Sequence, residues 1–371
     1  MRVRAGAARG GHFLAPSAGR PRATRPRAAH PRRRVLPGAG AAVLLATGLA
    51  ACAATGPPAG HPPQATGPAP APSAAASTPG SRGRPPQRQA IGAIGGYQVA
   101  RLSLRLADRS RFPSRPRVLR TAVWYPAPGP AASASASDGP FPLVVFAPGF
   151  LQCASSYRPL LRAWASAGYV VAAPDFPLTS CRTPDPAEDD LANQPADMAF
   201  VIRRLVAAGD RPHGSLTGLV DPERIAVAGH SDGGDTVAAL AAGSCCRDRA
   251  VRAAIVLAGA EWPPLGGSYF GKGTPPVLFV QGSADDINPP PASLAMYRAD
   301  ASGPRFYLDL PGAGHLAPYE GRRPPEPLVA RVTVDFLDRY LAGQRAAAAA
   351  MRRAGRVPGR AVLVGGGRLP P

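Results

Sequence analysis

The chain has 371 residues, enough for one large domain or two small ones, and a formal net charge of +20. Residues 1–90 hold 13 Arg and residues 343–371 hold 6, with no Asp or Glu in either stretch, so the middle is close to neutral. No nucleic-acid recognition motif accompanies the Arg runs, which excludes nucleic acid as the partner class. The Pro, Gly and Ala content of both ends predicts disorder, because such composition buries too little apolar surface to offset chain entropy.

At the N-terminus, Arg32, Arg33 and Arg34 precede an apolar run over 39–51, and Cys52 follows. A basic region, a short apolar region and small residues at the cleavage point are the anatomy of a secretory signal. The run is shorter than the roughly 20 residues a membrane span needs. Leu49-Ala50-Ala51-Cys52 resembles a bacterial lipobox, in which the Cys is lipidated and becomes the first mature residue. Arg32-Arg33-Arg34-Val35-Leu36 is similar to a twin-arginine export signal. The long stretch before the apolar run points to a translation start downstream of Met1. The expectation is an exported protein, secreted or lipid-anchored through Cys52 at the outer face of a bacterial membrane. Its signal covers 1–52, and a Pro/Ala/Gly/Ser spacer covers 53–90.

One α/β domain is expected over 91–342. Alternating apolar residues over 97–106 and 118–125 predict two strands, with no helical segment between them, hence an antiparallel start. Short apolar strands follow at 143–147, 169–173, 224–228, 253–258, 277–281 and 305–310. Helical periodicity covers 157–167, 197–208, 232–242, 292–299 and 328–341. Strands alternating with helices predict a mostly parallel central sheet of about eight strands, covered by helices on both faces. Residues 343–371 read as a disordered basic tail. The carboxyl ends of the parallel strands are where chemistry is expected.

The strongest local signal is Gly229-His230-Ser231-Asp232-Gly233, a G-x-S-x-G between an apolar strand and a helix. The serine of such an elbow sits on a tight turn with its hydroxyl above the sheet, and the glycines let strand and helix approach. A serine hydroxyl needs an imidazole to take its proton, and the imidazole needs a carboxylate to fix its tautomer. Of the six His, His12, His30 and His61 lie in the signal or spacer, His213 precedes the nucleophile, and His230 is inside the elbow. That leaves His315, on the loop after the last parallel strand. The acid is expected after strand 277–281, at Asp285, with Asp286 as its rival and Asp175 as a weaker one. The oxyanion would be held by the backbone N–H of Asp232 and that of Phe150 or Leu151.

These residues identify the chain as similar to the α/β-hydrolases over 97–342. More closely it resembles cutinase-like polyester hydrolases and bacterial triacylglycerol lipases, with dienelactone hydrolases and platelet-activating-factor acetylhydrolases as cousins. The residues that carry the likeness are Ala147-Pro148-Gly149-Phe150, Gly229 to Gly234, Glu261-Trp262, Gly282-Ser283-Ala284-Asp285 and Gly314-His315. The resemblance implies hydrolysis of carboxylic esters through an acyl-enzyme. It also implies an aromatic clamp on the acyl group from Phe150, with Leu151 beside it, and from Trp262. The residue after the nucleophile departs from the pattern: it is often Met in that group and is Asp232 here.

A lactone, an amide or a peptide is the alternative scissile bond, and a non-catalytic surface protein on the same scaffold is the alternative of another class. Cys153 and Cys181 follow neighbouring strands and suit a disulfide; with Cys245 and Cys246 three connectivities are open. No zinc-ligand spacing occurs, so neither metal nor organic cofactor is expected.

Overall fold

A computed structural model describes residues 92–365, apart from 112–113, 128–138, 267–268, 272 and 322–324. The expected signal, Cys52 and the spacer lie outside the described residues. Among the described residues no helix is long and apolar enough to cross a membrane.

The chain opens with β1 (Gln98–Asp108) and β2 (Arg117–Ala127), paired antiparallel as the missing helix between them requires. Six parallel strands follow: β3 (Phe141–Ala147), β4 (Val170–Asp175), β5 (Val220–His230), β6 (Val251–Leu257), β7 (Val277–Gly282) and β8 (Arg305–Leu310). The sheet order is β1-β2-β4-β3-β5-β6-β7-β8, continued by two further strands described below. Helices α1 (Arg158–Ser166), α2 (Gln194–Gly209), α3 (Asp232–Ala242), α4 (Pro290–Ala299), α5 (Ala317–Glu320) and α6 (Glu326–Tyr340) complete the expected domain.

The parallel strands are apolar on both sides because both faces are covered. Along β3, Val144 and Phe146 join a core with Trp164 of α1 and Phe336 of α6. Its alternate residues Leu143, Val145 and Ala147 join a second core with Met198 of α2, Val237 of α3 and Met296 of α4. Alternation along one strand thus feeds two separate helical layers. Within the first layer, polar contacts that buried donors require tie α6 to α1 and to the residue before β4. Trp164 Nε1–H donates to Thr333 Oγ1 of α6 at 2.8 Å, and Tyr169 O–H donates to Asp338 at 2.6 Å.

The C-terminal expectation is corrected. Residues after 342 form α7 (Ala347–Ala354), β9 (Arg356–Val357) and β10 (Ala361–Gly365). Strand β10 pairs antiparallel with β8, and β9 pairs with β10, so the sheet has ten strands rather than eight. Composition misleads here because the Arg residues face outward while Met351, Ala361 and Leu363 enter the core. The added strand also covers the edge that β8 would otherwise present to other chains.

Replacing Leu363, which is 3 % exposed, tests this directly. Leu363→Ala is expected to lower unfolding free energy by about 2–5 kcal/mol in urea titration, the cost of a buried large-to-small change. A disordered tail would leave the curve unmoved.

Candidate active site

The carboxyl ends of β3, β5, β6, β7 and β8 share one edge of the sheet, and the loops that leave them carry Phe150, Ser231, Trp262, Asp285 and His315. At the end of β5 the chain turns sharply into α3. Ser231 occupies φ 55°, ψ −126°, a conformation that costs a side-chain-bearing residue about 1–3 kcal/mol. Its N–H donates to the Leu257 carbonyl at 3.0 Å, and its carbonyl receives the N–H groups of Gly234 and Asp235. The turn closes only because Gly233 has no side chain: a Cβ there would run into the Ala147 carbonyl at the end of β3.

Asp285 follows β7 and is 4 % exposed; His315 follows β8 and is 7 % exposed. His315 Nδ1–H donates to the Asp285 carboxylate, at 2.9 and 3.0 Å from its two oxygens. The same carboxylate receives Gln281 Nε2–H at 2.9 Å and the N–H groups of Ile287 and Asn288 at 3.0 and 2.9 Å. Four donors satisfy a buried charge that would otherwise be very costly. Asp286 is exposed, and Asp175 is committed to Arg182 and the Ala154 N–H. Of the three carboxylates considered, only Asp285 contacts the imidazole. The loops are held in step where Ala284 N–H meets the Ala313 carbonyl at 2.9 Å.

His230, set aside above as part of the elbow, has a place of its own in the site. It is fully buried, and its pKa falls to about 3, chiefly from burial and then from the nearness of His315. Its Nε2 lies 2.9 Å from the His315 carbonyl, which only accepts, so Nε2 carries the proton. Nδ1 is then an acceptor and takes the Tyr157 O–H at 2.9 Å, and that hydroxyl oxygen accepts Gly149 N–H at 3.2 Å. One buried chain of hydrogen bonds thereby joins the loop after β3, the elbow and the backbone of His315.

Phe150 is half-buried beside Gly149. The alternative donor Leu151 is removed: its N–H already donates to the Thr179 carbonyl at 2.7 Å. That strand-like contact continues in the Gln152–Ser180 bridge and the Cys153–Cys181 disulfide. Cys245 and Cys246 are bonded to each other, away from this edge. Trp262 lies half-buried against Leu265, Leu191 and Ala239. Its loop is pinned by Ala260 N–H donating to Asp235 of α3 at 2.5 Å.

Leu178, Ile287 and Leu316 were not singled out from sequence. With Leu151 they are four of the seven exposed large apolar residues among those described, and each adjoins a site loop. Single exposed apolar residues carry no signal in a sequence, because exposure is a property of the fold. Among the described residues no group of three or more His, Cys, Asp or Glu is placed to hold a metal.

Asp232 is 8 % exposed, and its Oδ2 has no hydrogen-bond partner among the described residues. Burial, with Glu188 adding to it, pushes this carboxyl up to about 6. The folded protein therefore holds the proton more tightly than the unfolded chain. The associated stability is full below about pH 4 and is lost as pH rises through about 6. Asp232→Asn is expected to be more stable than the parent at neutral pH by roughly 3 kcal/mol, the worth of a shift of this size, with the gap closing toward about pH 4. Denaturant titrations across that range check it, and a gap independent of pH would refute it.

Comparison with known proteins gives two matches. The family model described as PET hydrolase-like matches residues 74–348. A bis(hydroxyethyl) terephthalate hydrolase of Streptomyces coelicolor is 28 % identical over 272 residues, covering 72 % of this chain and 75 % of that protein.

Proposed function

Since the chain belongs to the PET hydrolase-like family and is a carboxylic ester hydrolase of the α/β-hydrolase superfamily, we propose that Ser231, His315 and Asp285 are its catalytic triad. The carrying observation is the buried, four-donor Asp285–His315 pair, whose imidazole lies 4.6 Å ring to ring from His230, the residue that precedes a strained serine at a helix start.

The chemistry follows from the protonation states. With Nδ1–H given to Asp285, the Nε2 of His315 is free to accept the Ser231 proton. The Ser231 oxygen attacks the ester carbonyl carbon, forming a C–O bond while the carbonyl electrons move to oxygen. The N–H groups of Phe150 and Asp232 would meet that oxyanion; one such donor is typically worth ~10²–10³ in rate. Collapse breaks the bond to the alcohol, which leaves with the proton held by His315. Water then repeats the sequence on the acyl-enzyme and releases the acid.

The proposed substrate is an aromatic ester with short alcohol arms. The curated relative acts on bis(hydroxyethyl) terephthalate, and the exposed apolar side chains of the site loops, with Phe150 and Trp262, suit a flat acyl group. The acid at Asp232 makes this mouth more polar than a Met would, which favours small soluble esters over long acyl chains. We further propose export and lipid anchoring through Cys52, on the sequence features described above.

Ser231→Ala is expected to lower kcat for bis(hydroxyethyl) terephthalate by at least ~10³, and a fluorophosphonate should label the parent but not this variant. Asp285→Asn should also lose most activity, while Asp286→Asn stays within about twofold, since only the former fixes the imidazole tautomer. Retained activity in Ser231→Ala would overturn the assignment, and a panel including lactones and amides would expose a different preferred bond.

A further inference from the structure

On the β1–β2 edge, away from the triad, four arginines surround a depression of about 290 Å³. Arg101 and Arg105 stand on the same face of β1, four residues apart. Arg105 lies directly opposite Arg120 of β2, and Arg120 lies opposite Asp175 of β4. Arg182 closes the fourth side from the loop after the disulfide.

Like charges placed directly opposite on an antiparallel pair are destabilising. The fold offers little relief. Asp175 is the only acid lining the depression; it is already bonded to Arg182 Nε at 2.9 Å and to the Ala154 N–H. Arg101 rests over the Trp124 ring at 5.4 Å, which orients the guanidinium without neutralising it. Arg105 and Arg120 have no ion-pair partner among the described residues. Four guanidinium groups face one carboxylate, which leaves three positive charges without an ion-pair partner among the described residues.

We propose that this depression binds a phosphate monoester group, either of a soluble compound or of a lipid headgroup. A single carboxylate would leave most of the charge unmatched. A dianionic phosphate offers three terminal oxygens to planar guanidinium forks arriving from β1, β2 and the Arg182 loop, the geometry in which Arg pairs bidentately. The exposed Ser155 on the rim adds a hydroxyl donor. The cavity admits a phosphate with a small organic stub, and a lipid chain would remain outside it.

The test uses the full chain and compares three proteins at fixed ionic strength. These are the parent, Arg105→Gln/Arg120→Gln, and Arg249→Gln/Arg252→Gln as an equal charge change elsewhere. Titration calorimetry with inorganic phosphate should give saturable one-to-one binding to the parent and to the control. Binding should weaken by ~10-fold or more in the first variant, as expected for lost charge-assisted hydrogen bonds.

Saturating phosphate should raise the Tm of the parent and control by a few degrees and leave the first variant unmoved. That variant, relieved of the opposed charges, should itself melt no lower than the parent at low salt, and it should hydrolyse a short p-nitrophenyl ester within about twofold of the parent. Sedimentation with phosphatidylcholine vesicles containing phosphatidic acid separates the sources. Retention that depends on Arg105 and Arg120 assigns the headgroup, and phosphate binding without it assigns a soluble ester. No saturable phosphate binding by the parent, or equal binding by all three proteins, would overturn the proposal whether or not the ester hydrolysis assignment stands.

Discussion

A carboxylate buried at the edge of the sheet is the constraint on which the candidate site depends. Asp285 can sit at 4 % exposure only because four donors converge on it, three from its own strand and loop and one from His315. Removing a donor would leave the carboxylate less fully compensated in a low-dielectric pocket. The loop therefore has little freedom, and the imidazole inherits that rigidity. Orientation of His315 is a by-product of satisfying its neighbour.

The second support is His230. As the residue before the serine, it would serve the turn with any compact side chain. Its burial between Tyr157 and the His315 carbonyl makes it a strut between three loops from non-adjacent parts of the chain. The ring stacks obliquely on His315 and on Tyr319, with centroids 4.6 and 4.7 Å apart, so apolar contact and hydrogen bonding act together. Its depressed pKa keeps it neutral through the physiological range, which preserves the one donor and one acceptor the bridge requires.

Around this rigid centre the surface is mixed. Exposed Leu151, Leu178, Ile287 and Leu316 lie on loops next to site residues, and acidic Asp232 has Asp235 and Glu188 close enough to raise its pKa or be raised with it. Asp235 is also structural, since it fixes the loop that carries Trp262. Acidic character at the mouth is therefore partly the cost of holding that loop. The Arg-lined depression includes Ala154 and Arg182, each next in sequence to a cysteine of the Cys153–Cys181 bridge, and it is basic where the start of α3 is acidic.

Much of this was legible in the order of residues. Strand and helix alternation, the antiparallel start, the serine elbow and the choice of His315 all rest on local periodicity or on elimination among six histidines, and neither needs a third dimension. Asp285 against Asp286 did not, because neighbours in sequence are separated only by which one faces the loop of β8. Nor did the choice between Phe150 and Leu151, which turns on a hydrogen bond to Thr179 from another loop. The last strand was missed because five residues of alternation are too few to outweigh an Arg- and Ala-rich composition, and an edge strand is stable only against the partner that pairs with it. What the sequence determined by itself is therefore whatever short-range spacing encodes: the elements and the chemistry-bearing residues. Which of those residues meet was decided by the tertiary structure, since contacts across 30 to 85 positions depend on strand order and burial that no local pattern specifies.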